Sequence, residues 1–248
     1  MLENKVEQFR KAHKKDQPLV LINCWNVASA TELTKKTIKL VPTSSYAMST
    51  HYGYQDGETM PFTEILDYIK QMDPITNYIT ADIESGYAST LTDLAENIEA
   101  LINIGVVGIN IEDKRPNTEV LYTITEQSER LDSIKQQLNT IKKDLFINVR
   151  TDTYFTGDII KNNQDEQVLN QTIHRIKAYE KTGIDGIFIP GLKNKEHIKK
   201  IANETTVPLN IMLDIHEDSI EEYLNTGISR ISFGHRFIYF IMKIRAKI

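Results

Sequence analysis

The sequence predicts a (β/α)8 TIM barrel, an α/β fold forming one domain over residues 1–248. Eight short apolar runs are spaced along the chain, and segments with helical spacing separate them. The first run continues as "NCWNVASA", with no Gly-rich dinucleotide fingerprint, which ranks the barrel above an open doubly wound sheet.

Residues 1–16, "MLENKVEQFRKAHKKD", read as a charged helical extension without the apolar core of a signal peptide. The strands follow as "LVLINCW" (19–25), "IKLVPTSS" (38–45), "YITADIE" (78–84) and "VVGINIED" (106–113). The second half supplies "LFINVRTD" (145–152), "GIFIPG" (186–191), "VPLNIML" (207–213) and "ISRISFG" (228–234). Between them, "FTEILDYIKQM", "LTDLAENIEALINIG", "EQSERLDSIKQQLNTIKKD" and "EQVLNQTIHRIKAYEKTG" carry apolar residues at helical intervals. "INIGVVG" and "EKTGIDG" each stop a helix at a glycine suited to a left-handed cap. Residues 235–248 read as a C-terminal helix, apolar almost all round from Phe237 to Met242 and basic at its end. Cover by the barrel or by a neighbouring subunit is the expectation there, ahead of a membrane surface.

A net charge of −5 leaves no electrostatic footprint for nucleic acid. No apolar run approaches the roughly 18 residues of a membrane span. The single cysteine, Cys24, excludes an internal disulfide and reads as a buried, inert thiol. A soluble cytoplasmic protein is the expectation.

Barrels of this kind place their active sites at the C-terminal ends of the strands. Those ends offer Asn23, Trp25, Thr43, Ser44, Ser45, Asp82, Glu84, Glu112, Asp113, Asn148, Arg150, Asp152, Asn210 and Ser232, with His235 just beyond. The loop after the second strand adds Asp56. Asp82 and Glu84, two apart on a strand, share one face and repel each other unless a cation lies between them. Carboxylates without His or Cys partners are hard oxygen ligands, which suit Mg²⁺, with Mn²⁺ possible. Arg150 is expected to grip a substrate carboxylate in a bidentate fork. Asp113 and Asp152, one step off the inward parity, are expected to be structural. Trp25 either stacks on substrate or fills the barrel mouth, and His235 and Tyr46 are the candidate proton donors.

The segments "NCWNVASA", "TSSYAMSTHYGYQDGE", "TADIESGYA", "GVVGINIEDK" and "INVRTD" together resemble the phosphoenolpyruvate mutase/isocitrate lyase superfamily, from about residue 18 to 235. The resemblance implies a Mg²⁺-binding barrel acting on a small α-oxo or α-hydroxy carboxylic acid through an enolpyruvate-like oxyanion. Carried over by motif, Asp82 is the direct metal ligand, with Asp56, Glu84 and Glu112 in the hydrated shell. Ser44, Ser45 and the Tyr46 backbone hold the substrate carboxylate or oxyanion, Arg150 clamps it, and Trp25 and Asn210 complete the expected substrate-binding set. Family members commonly exchange C-terminal helices, so a homo-oligomer, dimer or tetramer, is implied.

The sequence departs from the named branches. The isocitrate and methylisocitrate lyases carry a Cys in the loop after strand 4, which here reads "EDKRPNTEVLY". Gly191 stands where the methylisocitrate lyases have a Glu. Lys114, Arg115 and Asn117 lie near the position of the mutase gate but out of its register, and loop 114–123 is the candidate lid. The reading is a Mg²⁺-dependent lyase or decarboxylase. The alternatives are a mutase or hydrolase of the phosphonopyruvate P–C bond, and a non-catalytic carboxylate-binding barrel.

Overall fold

A computed structural model describes residues 2–35, 40–76, 78–214 and 217–234. His235 and the expected helix over 235–248 lie outside the described residues. The strands are β1 (Leu19–Leu21), β2 (Leu40–Pro42), β3 (Tyr78–Asp82), β4 (Val106–Glu112), β5 (Phe146–Arg150), β6 (Gly186–Ile189), β7 (Leu209–Met212) and β8 (Arg230–Ser232). All pair in parallel, in the order β1-β8-β7-β6-β5-β4-β3-β2. A single bridge between Cys24 and Thr43, flanked by Cys24 N–H to Pro42 O at 2.7 Å, brings the two ends together, so the barrel is nearly closed. Every residue of β4 is buried, which explains its continuous apolar run.

The helices are α1 (Leu2–Ala12), α2 (Val27–Thr34), α3 (Ser45–His51), α4 (Phe62–Met72), α5 (Leu91–Asn103), α6 (Ile124–Ile141), α7 (Ile159–Asn162), α8 (Glu166–Glu180) and α9 (Lys195–Glu204). Local chemistry starts several of them. Thr90 and Asp93 form a capping box at α5, and Thr123 and Glu126 form another at α6. The predicted cap after α5 is present: Gly105 has φ +90° and donates to Ile102 O, a conformation that other residues adopt only with strain. α4, α5 and α6 each bury one apolar stripe, for example Leu94, Ile98, Leu101 and Ile102 of α5.

The N-terminal extension folds under the barrel. Val6 and Phe9 of α1 form a separate cluster with Val107 and Phe146 at the strands' N-terminal ends. Gly108 makes room for them, since a Cβ there would lie 2.8 Å from Phe9 Cε1. Arg10 anchors the helix to Asp144 at 3.1 Å and to Asp185 at 2.7 Å. His13 stacks on Phe146 with ring centroids 4.5 Å apart, and its Nδ1 bonds Phe9 O at 2.8 Å. Phe9 O can only accept, so Nδ1 carries the proton in the neutral ring.

Burial and the Arg230 charge push the His13 pKa down to about 3, although its bond to Phe9 opposes the shift. The unfolded chain therefore takes a proton below pH 6.5 that the folded chain refuses until about pH 3. This contribution to stability is complete above pH 6.5 and is lost as the pH falls through that window. From pH 7 to pH 5 the loss from His13 amounts to about 2 kcal/mol. Denaturant melts at the two pH values should show wild type losing about 2 kcal/mol more than His13→Phe on acidification, the other titrating groups being common to both; the same change in both would remove His13 from the acid response.

Candidate active site

The C-terminal ends of the strands surround a cavity of about 610 Å³. Asp82, Glu112 and Arg150 are the last residues of β3, β4 and β5, and all three line it. Asp56 and Glu84 line it from the connecting loops. Asp82 Oδ2 accepts from Ser45 N at 3.1 Å and Ser45 Oγ at 2.8 Å. Glu84 does not reach the cavity by strand parity: β3 ends at Asp82, and Glu84 sits beyond it with φ +48°. There its carboxylate accepts from Gly57 N at 2.9 Å, Glu58 N at 2.7 Å and the Tyr87 hydroxyl.

The carboxylates crowd one another. Burial raises the Glu84 pKa to about 7, the Tyr87 hydrogen bond opposes this, and the charges of Asp56 and Asp82 add to it. Burial also raises Glu112, with Arg150 opposing and Asp152 and Asp82 adding. Partial desolvation and the Asp82 charge raise Asp56, against Arg150 and Lys114.

Arg150 is arranged differently from the sequence expectation. Its fork is taken by Asp152, with Nε to Oδ1 at 2.6 Å and Nη2 to Oδ2 at 2.8 Å, while Nη1 lies 3.1 Å from Glu112 Oε2. What remains for a ligand is the outer Nη edge. Burial works against the guanidinium charge, yet Asp152 and Glu112 outweigh it and raise its pKa well above the usual arginine value. The short 3₁₀ turn Asp152–Tyr154 brings Asp152 back onto Arg150. Asp152 is itself oriented by Asp113, whose Oδ1 accepts the Asp152 N–H at 3.0 Å. Asp113 is fully buried and also accepts from Thr151 Oγ1, Arg175 Nη1 and Tyr179 OH, which makes it a strut under the site.

Other sequence candidates divide. Ser44, Ser45 and Tyr46 line the cavity, and Ser44 Oγ caps α3 by accepting from Ala47 N at 3.3 Å. Lys114 and Asn117 line it from loop 114–123, where Lys114 pairs with Leu121 across a narrow hairpin. Arg115 turns away, stacking on Tyr122 at 4.4 Å and pairing with Glu126 at 2.6 Å. Trp25 is 4 % exposed, does not line the cavity and packs in the hydrophobic core. Asn210 is 1 % exposed and lies in the barrel interior, away from the lining. Cys24 is fully buried, and burial raises its pKa, so the thiol is inert.

Two contributors were missed in the sequence. Glu58 accepts from Tyr87 N and Ser85 Oγ, and Tyr87 donates to Glu84. The conformations that place them, φ +63° at Glu58 and φ +54° at Tyr87, follow no strand or helix period.

The donor set is all oxygen, which fits a hard divalent ion. Among the described residues no three acidic, histidine or cysteine side chains converge on a direct coordination cage.

The sequence profile described as phosphoenolpyruvate phosphomutase matches residues 9–247. Among solved structures, a provisionally assigned phosphonomutase from Burkholderia cenocepacia J2315 superposes with a TM-score of 0.93 at 31% identity, covering 100% of this chain and 98% of that one. A 2-methylisocitrate lyase from Halalkalibacterium halodurans is 24% identical over 207 residues, 82% of this chain and 65% of that protein. An oxaloacetate decarboxylase from Marinomonas sp. is 27% identical over 169 residues, 66% and 55% of the two chains. Fold, strand-end carboxylates and sequence agree: the chain belongs to the phosphoenolpyruvate phosphomutase family, within the superfamily of phosphoenolpyruvate mutases and isocitrate lyases.

Proposed function

We propose that the protein is a Mg²⁺-dependent lyase or decarboxylase that cleaves a C–C bond of a small α-oxo or α-hydroxy carboxylic acid through an enolpyruvate-like oxyanion. The reading is carried by the meeting of Asp56, Asp82, Glu84, Glu112 and Arg150 on one cavity. A bound divalent ion supplies Lewis-acid stabilisation to the oxygen that gains charge as the bond breaks.

The chain's own part is orientation. Ser45 pins Oδ2 of Asp82 and leaves Oδ1 without a hydrogen bond among the described residues, the natural direct ligand. Glu84, held by Gly57, Glu58 and Tyr87, and Glu112, held by Arg150, together with Asp56 take the surrounding waters. The Nη edge of Arg150, the Ser44 hydroxyl and the Tyr46 backbone face the substrate carboxylate. Pro116, Asn117, Thr118 and Glu119 of the lid loop line the same cavity and exclude water over it. The relatives named as 2-methylisocitrate lyase and oxaloacetate decarboxylase support the carbon–carbon chemistry.

One observation favours a second reading, a mutase or hydrolase of a P–C bond. Lys114 lines the cavity with its Nζ 4.0 Å from Asp152 Oδ2, a cation placed where a phosphonate could meet it. Pyruvate release with Mg²⁺ and with chelator separates the readings, using oxaloacetate, methylisocitrate, a dialkylmalate and phosphonopyruvate. Metal-dependent pyruvate from a carbon acid is the expected result. Pyruvate from phosphonopyruvate alone, or a rearranged phosphorus signal without pyruvate, selects the P–C chemistry. A non-catalytic barrel would release nothing and rearrange nothing while still gaining thermal stability from Mg²⁺ with oxalate.

A further inference from the structure

Alternate residues of β4, Gly108, Asn110 and Glu112, face the barrel interior. Glu112 reaches the cavity, Gly108 meets the Phe9 plug, and Asn110 lies between them in register with Asp82 and Asn148. Asn110 is 6 % exposed and lines the cavity. Arg230 and Asn148 are each 1 % exposed and do not line it.

Asn110 Oδ1 accepts from Asn148 Nδ2 at 2.9 Å and from Arg230 Nη2 at 3.3 Å. A guanidinium only donates, so only the amide oxygen can face Arg230, and chemistry decides the orientation of the amide. Nδ2 bonds to no acceptor among the described residues and is left on the cavity side. The device is expensive. Arg230 Nε and Nη1 make no hydrogen bond among the described residues, and burial pushes its pKa down to about 9, against the Asp82 charge. A buried cation bonded to an amide oxygen polarises the amide and strengthens its N–H as a donor.

We propose that Asn110 is a substrate-binding residue whose amide N–H donates to an anionic oxygen of the bound acid, with Arg230 and Asn148 as positioning residues beneath it. This deepens the carboxylate-binding reading above and rests on it. Arg150 holds the acid from the rim and Asn110 from the floor, so the site selects small acids that present an oxyanion down the barrel axis.

Calorimetric titration of oxalate at saturating Mg²⁺ tests this, with Mg²⁺ alone titrated in parallel. Asn110→Ala removes the donor. Asn110→Met also removes it but offers Arg230 a weak acceptor, the thioether sulfur, and decides the matter if the alanine variant unfolds. In both, oxalate affinity should fall about 30-fold with Mg²⁺ affinity within about threefold of wild type, the scale of one hydrogen bond to a charged acceptor. Arg230→Met frees the amide to turn, and oxalate affinity should fall about fivefold; an unchanged value would remove Arg230 from the positioning role. Oxalate affinity within about threefold of wild type in a folded Asn110 variant overturns the proposal, as does a parallel loss of Mg²⁺ and oxalate. Wild type that binds Mg²⁺ but no oxalate would instead overturn the carboxylate reading, and the role of Asn110 with it.

Discussion

Asp82→Ala is expected to lower metal-dependent pyruvate release by roughly a thousandfold, the scale of losing one pre-organised electrostatic contact to the reacting centre. Asp82 is the residue that Ser45 grips with two donors, and its charge acts on Asp56, Glu84 and Glu112 alike. Removing it relieves repulsion within the cluster. The unliganded melting temperature should therefore move little, since the lost acceptor of Ser45 and the lost counter-charge to buried Arg230 offset that relief, while the gain from Mg²⁺ with oxalate disappears. Stability held with function lost is the pattern of a site built against the interest of the fold. Activity within about tenfold of wild type would show that the ion is held elsewhere.

Asp113→Ala should act in the opposite sense. Its carboxylate takes four donors: Thr151 Oγ1 at 2.8 Å, Tyr179 OH at 2.9 Å, Asp152 N at 3.0 Å and Arg175 Nη1 at 3.2 Å. The Arg175 side chain is 8% exposed, so the variant leaves a buried cation without its counter-charge. Breaking such a pair costs about 3–5 kcal/mol. For a chain of this size that corresponds to a fall of roughly 10 °C in melting temperature. Turnover should also decline, because Asp152 loses the acceptor that orients it toward Arg150. A melting temperature within about 2 °C of wild type would mean that the strut is redundant.

The two variants also mark how far the sequence could be read. Apolar runs ending in acids located β3, β4 and β5, and with them Asp82, Glu112 and Arg150, because a strand's pattern and its last residue are local properties. Partnership is not local. Asp152 is off the inward parity, and nothing local in the sequence says that a 3₁₀ turn returns it, fully buried, to the Arg150 fork. Asn210 was expected at the substrate but is buried off the lining, although its register partner Phe188 lines the cavity; which side chain reaches the mouth depends on packing across the barrel. Glu84 reached the cavity through a left-handed turn rather than through the pleat that suggested it. Glu58 and Tyr87 gave no signal, because their positions depend on a loop conformation and on contacts with another loop.

The plug of Phe9, His13 and Phe146 has a kinetic consequence. With the barrel stoppered at its lower end, the cavity is a blind alley. Under the proposed cleavage one acid makes two fragments, and both must leave by the mouth through which the parent arrived. Their departure is then sequential: the fragment nearer the lid goes first, and the one bound deeper cannot be overtaken. The deeper product should therefore compete with fresh substrate, while the outer one inhibits only by re-entering behind it.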